Sequence, residues 1–359
     1  MENTERQKTT LDTQPKKPII AITSGDVNGV GYEVILKALN DAHICEICTP
    51  VIYGNMHIAR LHLHTLDEDM QNMQFTLISK VSECQKNKVN IINCYADDTP
   101  VKFGENTAEA GRASLMALTR ATDDLKAGLV DAIVTAPINK RNIQSDKFQF
   151  SGHTEYLTHK FGNGGDSLMM MVSDMMRVAL VCNHVPISEV PKHITEEKIL
   201  SKLRMLNKTL QDDFLVRKPR IAVLALNPHA GDNGLLGEEE QNIISPAIKK
   251  AYEEGIMVFG PYSADGFFGA GKYSSFDAIL GMYHDQTLIP FKSLDMAGVN
   301  FTAGLGIVRT SPDHGTAYEL AGKNEADPAS MRNALYLAID ILRTREENKV
   351  LKENSLVNI

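Results

Sequence analysis

A chain of 359 residues with 43% hydrophobic content has ordinary globular composition and exceeds what one hydrophobic core usually supports, so two domains are expected. A formal net charge of −8 without a dense Lys/Arg block argues against an electrostatic grip on nucleic acid or an anionic membrane, leaving small molecules as the expected partners. No 18-residue apolar run occurs, the stretch to Lys17 is polar, and the five cysteines (Cys45, Cys48, Cys84, Cys94, Cys182) are odd in number and scattered; the expectation is a soluble, unexported cytoplasmic protein with reduced thiols.

Residues 1–17 read as a flexible tail. Ile19-Ile-Ala-Ile-Thr23 has the content of a buried strand, and Glu33 to Leu39 reads as a helix. Between them, Ser24-Gly-Asp-Val-Asn-Gly-Val-Gly31 places glycines at 25, 29 and 31. These allow a sharp turn or close approach to a ligand, but the spacing is neither G-x-G-x-x-G nor a P-loop, and both readings stay open. Cys45-Glu-Ile-Cys48 has C-x-x-C spacing with no second pair to complete a zinc site, so it reads as packing rather than redox or metal chemistry. Val51-Ile-Tyr53 and Val130 to Thr135 are further strands, the latter ending in Thr135-Ala-Pro-Ile-Asn-Lys140. Ser151-Gly-His-Thr-Glu155 offers either a grip for an oxyanion or the start of a helix.

Three later apolar runs each stop at a histidine: Val178-Ala-Leu-Val-Cys-Asn-His184, Ile221-Ala-Val-Leu-Ala-Leu-Asn-Pro-His229 and Ala278-Ile-Leu-Gly-Met-Tyr-His284. Each has strand character, so each imidazole is expected at a strand's C-terminal end, where open parallel sheets bind ligands. Three neutral imidazoles can hold a divalent cation with positions left open for water or substrate; unrelated loop histidines are the alternative. Thr195 can cap a helix through Leu210, with Ile199, Leu200, Leu203, Leu206 and Leu210 on one face. Past His284, Asp285, Gln286, Lys292, Asn300 and Arg309 are separated by Gly298, Gly304 and Gly306, an arrangement suited to phosphate or carboxylate oxygens, or else a solvated charged loop. Ser311 to Gly322 reads as a loop entering a short helix, with Glu319 able to accept from a ribose hydroxyl. Asp327-Pro328 starts a helix to about Arg345 containing Leu335, Leu337, Ile339 and Leu342, and the last ten residues read as frayed. Strands alternating with helices throughout predict an α/β fold with mostly parallel sheets.

Gly152-His-Thr-Glu155, Asn183-His-Val-Pro186, Asn227-Pro-His-Ala-Gly231, Tyr283-His-Asp-Gln286, Gly298-Val-Asn300 and Arg309-Thr-Ser with Asp313-His-Gly-Thr316 together resemble the 4-hydroxythreonine-4-phosphate dehydrogenase family of vitamin B6 biosynthesis, in order from about Ile19 to Ile341. The resemblance implies a two-domain isocitrate/isopropylmalate-dehydrogenase-like fold, divided as residues 18–145 with 300–359 and residues 146–299. It also implies NAD-dependent oxidation of a phosphorylated hydroxy amino acid in a homodimer whose active site lies at the interface. Carried over by motif, the metal ligands are His184, His229 and His284, the last crossing from the partner subunit; substrate contacts are His153, Thr154, Lys292, Asn300 and Arg309; NAD lies along His314, Gly315, Thr316, Ala317 and Glu319. The family usually has prolines near the positions of Ser24, Val27 and Tyr32, and their replacement puts fine substrate choice in doubt.

In the implied chemistry a metal lowers the pKa of the substrate hydroxyl, hydride passes to NAD, and the 3-keto acid decarboxylates to 3-amino-2-oxopropyl phosphate. Lys292, Asp285 and Asp265 are the candidate catalytic residues, the two aspartates serving as base or as partners that fix a histidine tautomer. Zinc, cobalt or nickel suits three imidazoles better than magnesium does. A dehydrogenase of 4-phosphothreonate or 4-phosphoerythronate is the nearest competing reading, and a metal-dependent hydrolase a more distant one.

Overall fold

The computed structural model describes residues 17–162 and 164–354, so the tail expected for residues 1–17 lies almost wholly outside the described residues. The first half of the chain contains β1 (Ile19–Thr23), α1 (Gly31–Leu39), α2 (Ala42–Ile47), β2 (Thr49–Gly54), α3 (Met56–Leu63), β3 (Phe75–Ile78), β4 (Val89–Asn93), α4 (Ala108–Lys126) and β5 (Ala132–Thr135). Then come α5 (His153–Phe161), β6 (Leu168–Val172), β7 (Arg177–Leu180), α6 (Val190–His193), α7 (Glu196–Phe214), β8 (Arg220–Leu224), α8 (Ser245–Glu253), β9 (Met257–Tyr262), α9 (Ala264–Gly269), β10 (Ala278–Gly281), α10 (His284–Leu294), β11 (Val299–Ala303), β12 (Arg309–Pro312) and α11 (Ala329–Glu353).

All twelve strands join one sheet in the order β3-β4-β2-β1-β5-β12-β11-β6-β7-β10-β8-β9. The α/β class and the mostly parallel sheet agree with the sequence pattern. Three successive antiparallel steps, β12 to β11, β11 to β6 and β6 to β7, interrupt the parallel pairing at the centre. An odd number of reversals makes the β7-β10-β8-β9 block run opposite to the β1-β5-β12 block. The strand ends that carry the histidines therefore lie at the other edge of the sheet from the end of β5, and a site drawing on both must cross the central strands.

Local chemistry explains the clearest elements. The Thr195 hydroxyl accepts from Lys198 N at 3.2 Å, and Ile199, Leu203, Leu206 and Leu210 of α7 are completely buried, each stabilising the fold by roughly 1.5–3 kcal/mol. Asp327 accepts from Ala329 N at 2.8 Å where α11 starts. That helix runs to Glu353, past the expected end at Arg345 and into the stretch read as frayed. Residues 318–324 form turns, not the expected short helix: Ala317 takes a left-handed φ of 42°, which breaks helical continuation. Strand β12, Arg-Thr-Ser-Pro, has no apolar run, and β6 is mainly methionine; both are strands because neighbours on both sides satisfy their backbone groups.

All five cysteines are free, and burial pushes the Cys45 thiol upward and that of Cys48 up to about 12, which removes the thiolate that C-x-x-C chemistry needs. Among the described residues no helix is long and apolar enough to cross a membrane.

Candidate active site

The glycine turn after β1 is a brace. Gly25 has φ 66°, and a Cβ there would stand 2.3 Å from Pro137 O; a Cβ on Gly29 would stand 2.7 Å from Thr316 O. Val30 N donates to Thr316 O at 3.0 Å, so the turn supports the 313–317 loop through backbone contact. Asp26, fully buried, accepts from Asn28 N (2.9 Å), Asn142 Nδ2 (2.8 Å) and the Tyr318 hydroxyl (2.8 Å). Ser24 and Tyr32, at positions where the resemblance led to proline, share a buried hydroxyl network with Tyr95 at 3.3 and 2.6 Å.

A cleft of about 290 Å³ crosses the central strands. Its lining includes Thr135 and Lys140 after β5, His153, Thr154 and Glu155 of α5, and Met169, Asn300 and Arg309 on β6, β11 and β12. His184, His284, Lys292, Asp313, His314 and Gly315 complete it. All five expected substrate contacts converge here, with two of the three histidines and the start of the expected cofactor loop. Thr316, Ala317 and Glu319 lie outside the lining.

Arg309 dominates the electrostatics. It is 3% exposed, and its guanidinium donates to Thr135 Oγ1 (2.8 and 3.2 Å) and Thr302 Oγ1 (3.0 Å). Among the described residues no carboxylate stands within 4.0 Å of it. Burial pulls its pKa down to about 10, partly opposed by the charge of Glu155. A buried cation held only by hydroxyls is an uncompensated charge, and an anionic ligand is its natural partner. His153 Nε2, Asn300 Oδ1 and His314 Nε2 are buried without a hydrogen-bond partner in the same cleft. Burial, then the charges of Arg309 and Lys140, hold His153 well below its ordinary pKa, so its ring is neutral at pH 7. Lys292 Nζ is fixed by Asp313, 3.1 Å from Oδ1.

The rings of His184 and His284 stand 5.9 Å apart, near the spacing of about 5 Å for two imidazoles sharing one tetrahedral ion. His184 Nδ1 lies 3.8 Å from Glu155, whose carboxyl the imidazole holds down to about 2. His284 Nδ1 lies 2.7 Å from Asp285 Oδ1, leaving Nε2 free to ligate. His229 is absent from the lining, and among the described residues no group of three or more His, Cys, Asp or Glu forms a metal site. Five successive left-handed residues, His229 to Asn233 (φ 52, 54, 79, 43 and 57°), turn the chain away after β8. His229 instead acts electrostatically on Asp265, whose carboxyl is lowered first by a bond from Ser263. One protomer thus offers two imidazole donors. His284 sits beside the same chain's His184, so these two imidazoles come together within one chain, whereas the resemblance implied that His284 crosses from the partner subunit.

Residues 46–338 match the profile of the family described as pyridoxal phosphate biosynthetic protein PdxA. The chain belongs to the PdxA family. A 4-hydroxythreonine-4-phosphate dehydrogenase of Bacteroides thetaiotaomicron is 52% identical over 338 residues, covering 94% of this chain and 92% of that one. A relative in Oceanobacillus iheyensis, provisionally named a D-threonate 4-phosphate dehydrogenase, is 37% identical over 92% of this chain and 99% of its own. The crystal structure of 4-hydroxythreonine-4-phosphate dehydrogenase from Klebsiella pneumoniae superposes with a TM-score of 0.79 at 31% identity, covering 92% of this chain and 99% of that chain.

Sequence reasoning passed over Lys140, Glu155 and Asp313 as site residues. Lys140 and Glu155 belong to segments singled out for other reasons, and Asp313 sits inside the cofactor motif. What places them in the site is the crossing of the central strands, which no local pattern reports.

Proposed function

We propose that this PdxA-family protein oxidises 4-phosphohydroxy-L-threonine with NAD and a divalent metal, zinc first among the candidates, to a 3-keto acid that decarboxylates to 3-amino-2-oxopropyl phosphate in pyridoxal phosphate biosynthesis. The observation that carries this is Arg309, a buried cation without a carboxylate, facing a cleft with unpartnered His153 and Asn300 atoms. In this reading Arg309, His153 and Thr154 orient the anionic ends of the substrate, and Asn300 Oδ1 accepts from a substrate donor. Lys292, held by Asp313, exchanges the hydroxyl proton. The bound metal would polarise the substrate hydroxyl, and NAD, lying along the 314–319 loop, would accept the hydride. We assign residues 18–145 with 300–359 to one domain and residues 146–299 to the other.

The metal needs a third protein donor, and we assign it to His229 from a second copy. Leu235 (79% exposed) and Leu236 (43%) follow its left-handed turn as apolar side chains facing outward. In this arrangement Asp285 orients His284, and Asp265 stands by the crossing His229. Mixing His229→Ala with His184→Ala subunits should restore NADH formation at 340 nm, because one heterodimer site is intact. Mixing His184→Ala with His284→Ala should not, because both residues come from one chain. The opposite pattern would return His284 to the crossing role, and wild-type protein making no NADH from the substrate would end the dehydrogenase reading. Parallel assays with 4-phosphothreonate and 4-phosphoerythronate test the substrate choice that the Oceanobacillus iheyensis relative raises.

A further inference from the structure

Two cations of the cleft have no carboxylate within 4.0 Å among the described residues, and Arg309 is only one of them. The other is Lys140, on the loop after β5. Its backbone is fixed on both sides. Asn139 Oδ1 accepts from Arg141 N at 2.9 Å and Asn142 N at 3.3 Å, and Lys140 O accepts from Gln144 Nε2 at 3.0 Å. The lysine stem runs over Gly152, its Cε 3.4 Å and its Nζ 3.9 Å from where a Cβ on that glycine would stand. Gly152 is the N-cap of α5 and supplies no side-chain cap, so the N-terminal end of the helix lies beside the ammonium; Glu155 takes a bond from its own N–H, and its Oε2 stands 3.4 Å from the same Cβ position. Unpartnered His153 Nε2 and the Arg309 guanidinium line the same cleft.

Charge balance calls for this residue. A phosphate monoester carries up to two negative charges near neutrality. Lys292 is offset by Asp313, His153 is neutral, and the Glu155 carboxylate sits 3.8 Å from His184 Nδ1 while also acting on Arg309, which leaves Arg309 at least one charge short of such a group.

We propose that Lys140 is a substrate-recognition residue that pairs with the substrate phosphate, closing an anion pocket formed with Arg309 and the N-terminus of α5. The assignment rests on the dehydrogenase reading for the identity of the substrate, but its anion chemistry is testable without turnover. Lys140→Met should raise KM for the phosphorylated substrate about 10- to 100-fold, the scale of a lost hydrogen bond to a charged group, and leave KM for NAD within about twofold. Lys140→Arg, which keeps the charge, should recover much of that loss. Independently of turnover, inorganic phosphate should raise the Tm of wild-type protein and of Lys140→Arg but have a much smaller effect on Lys140→Met.

Unchanged KM and unchanged phosphate protection in Lys140→Met would overturn the proposal. So would a raised KM with phosphate protection intact, which would move Lys140 to the carboxylate, or a raised KM for NAD alone. Wild-type protein that is inactive with NAD but shows Lys140-dependent phosphate protection would sink the dehydrogenase reading and leave the anion pocket standing.

Discussion

The glycine turn after β1 and the cleft beside α5 draw on similar residues: glycines, short polar side chains and a charged group at the end of a strand. In the turn every polar side chain of the Ser24-Asp26-Asn28 set has a partner, and the Asp26 carboxylate accepts three hydrogen bonds. In the cleft a guanidinium lacks a counter-charge, and His153, Asn300 and His314 each keep a buried atom unpaired. Satisfied polar groups hold a fold, whereas several unsatisfied ones gathered around an uncompensated guanidinium mark where a ligand would complete them; isolated unpaired atoms such as Asn142 Oδ1 and Arg177 Nε occur elsewhere. The difference assigns structure to one region and chemistry to the other, although both look like ligand loops in sequence.

Substitutions can break that contrast, and the largest effect belongs to the cleft. Arg309→Met should lower kcat/KM about a thousandfold, roughly 4 kcal/mol, with the far-UV circular dichroism unchanged, because the fold does not need the charge. A stability loss matching the activity loss would make Arg309 structural. Asp26→Ala should do the reverse: about 4 kcal/mol of stability is lost in urea unfolding, because three buried donors lose their acceptor, with a secondary rise in KM for NAD through the Tyr318 contact.

The brace also has a pH signature. His62, which contacts the turn through Nε2 and Val27 O at 2.8 Å, is pushed down to about 4 by burial, partly opposed by that bond. Its folded pKa lies below its unfolded value near 6.5, so the unfolded chain binds the extra proton between them. Stability is therefore full above pH 6.5 and falls by about 3 kcal/mol as pH drops to 4. His62→Asn should flatten that part of the urea-midpoint profile; an unchanged slope would remove His62 as its source. The smallest effect concerns histidine orientation: Asp285→Asn should weaken metal binding about tenfold in a chelator competition and leave stability alone, since Asp285 is exposed and touches His284.

Local patterns in the sequence specified much of this protein. The β-branched run at Ile19 to Thr23, the Thr195 cap with its leucine stripe and the Asp327-Pro328 start each encode their element within a few neighbouring residues, so period and capping chemistry suffice to read them. His153, Thr154, Lys292, Asn300 and Arg309 were named as one set through the family resemblance of their motifs, whereas the residues alone left each segment open between ligand contact and ordinary structure. Tertiary structure decided the rest. Three antiparallel steps reverse the sheet and carry the cleft across its face, a left-handed turn takes His229 away from its fellow histidines, and the glycine turn packs on Thr316. Whether a polar group is satisfied depends on partners more than a hundred residues distant, as with Arg309 and Thr135, and that is a property of the packed chain that no local window of sequence contains.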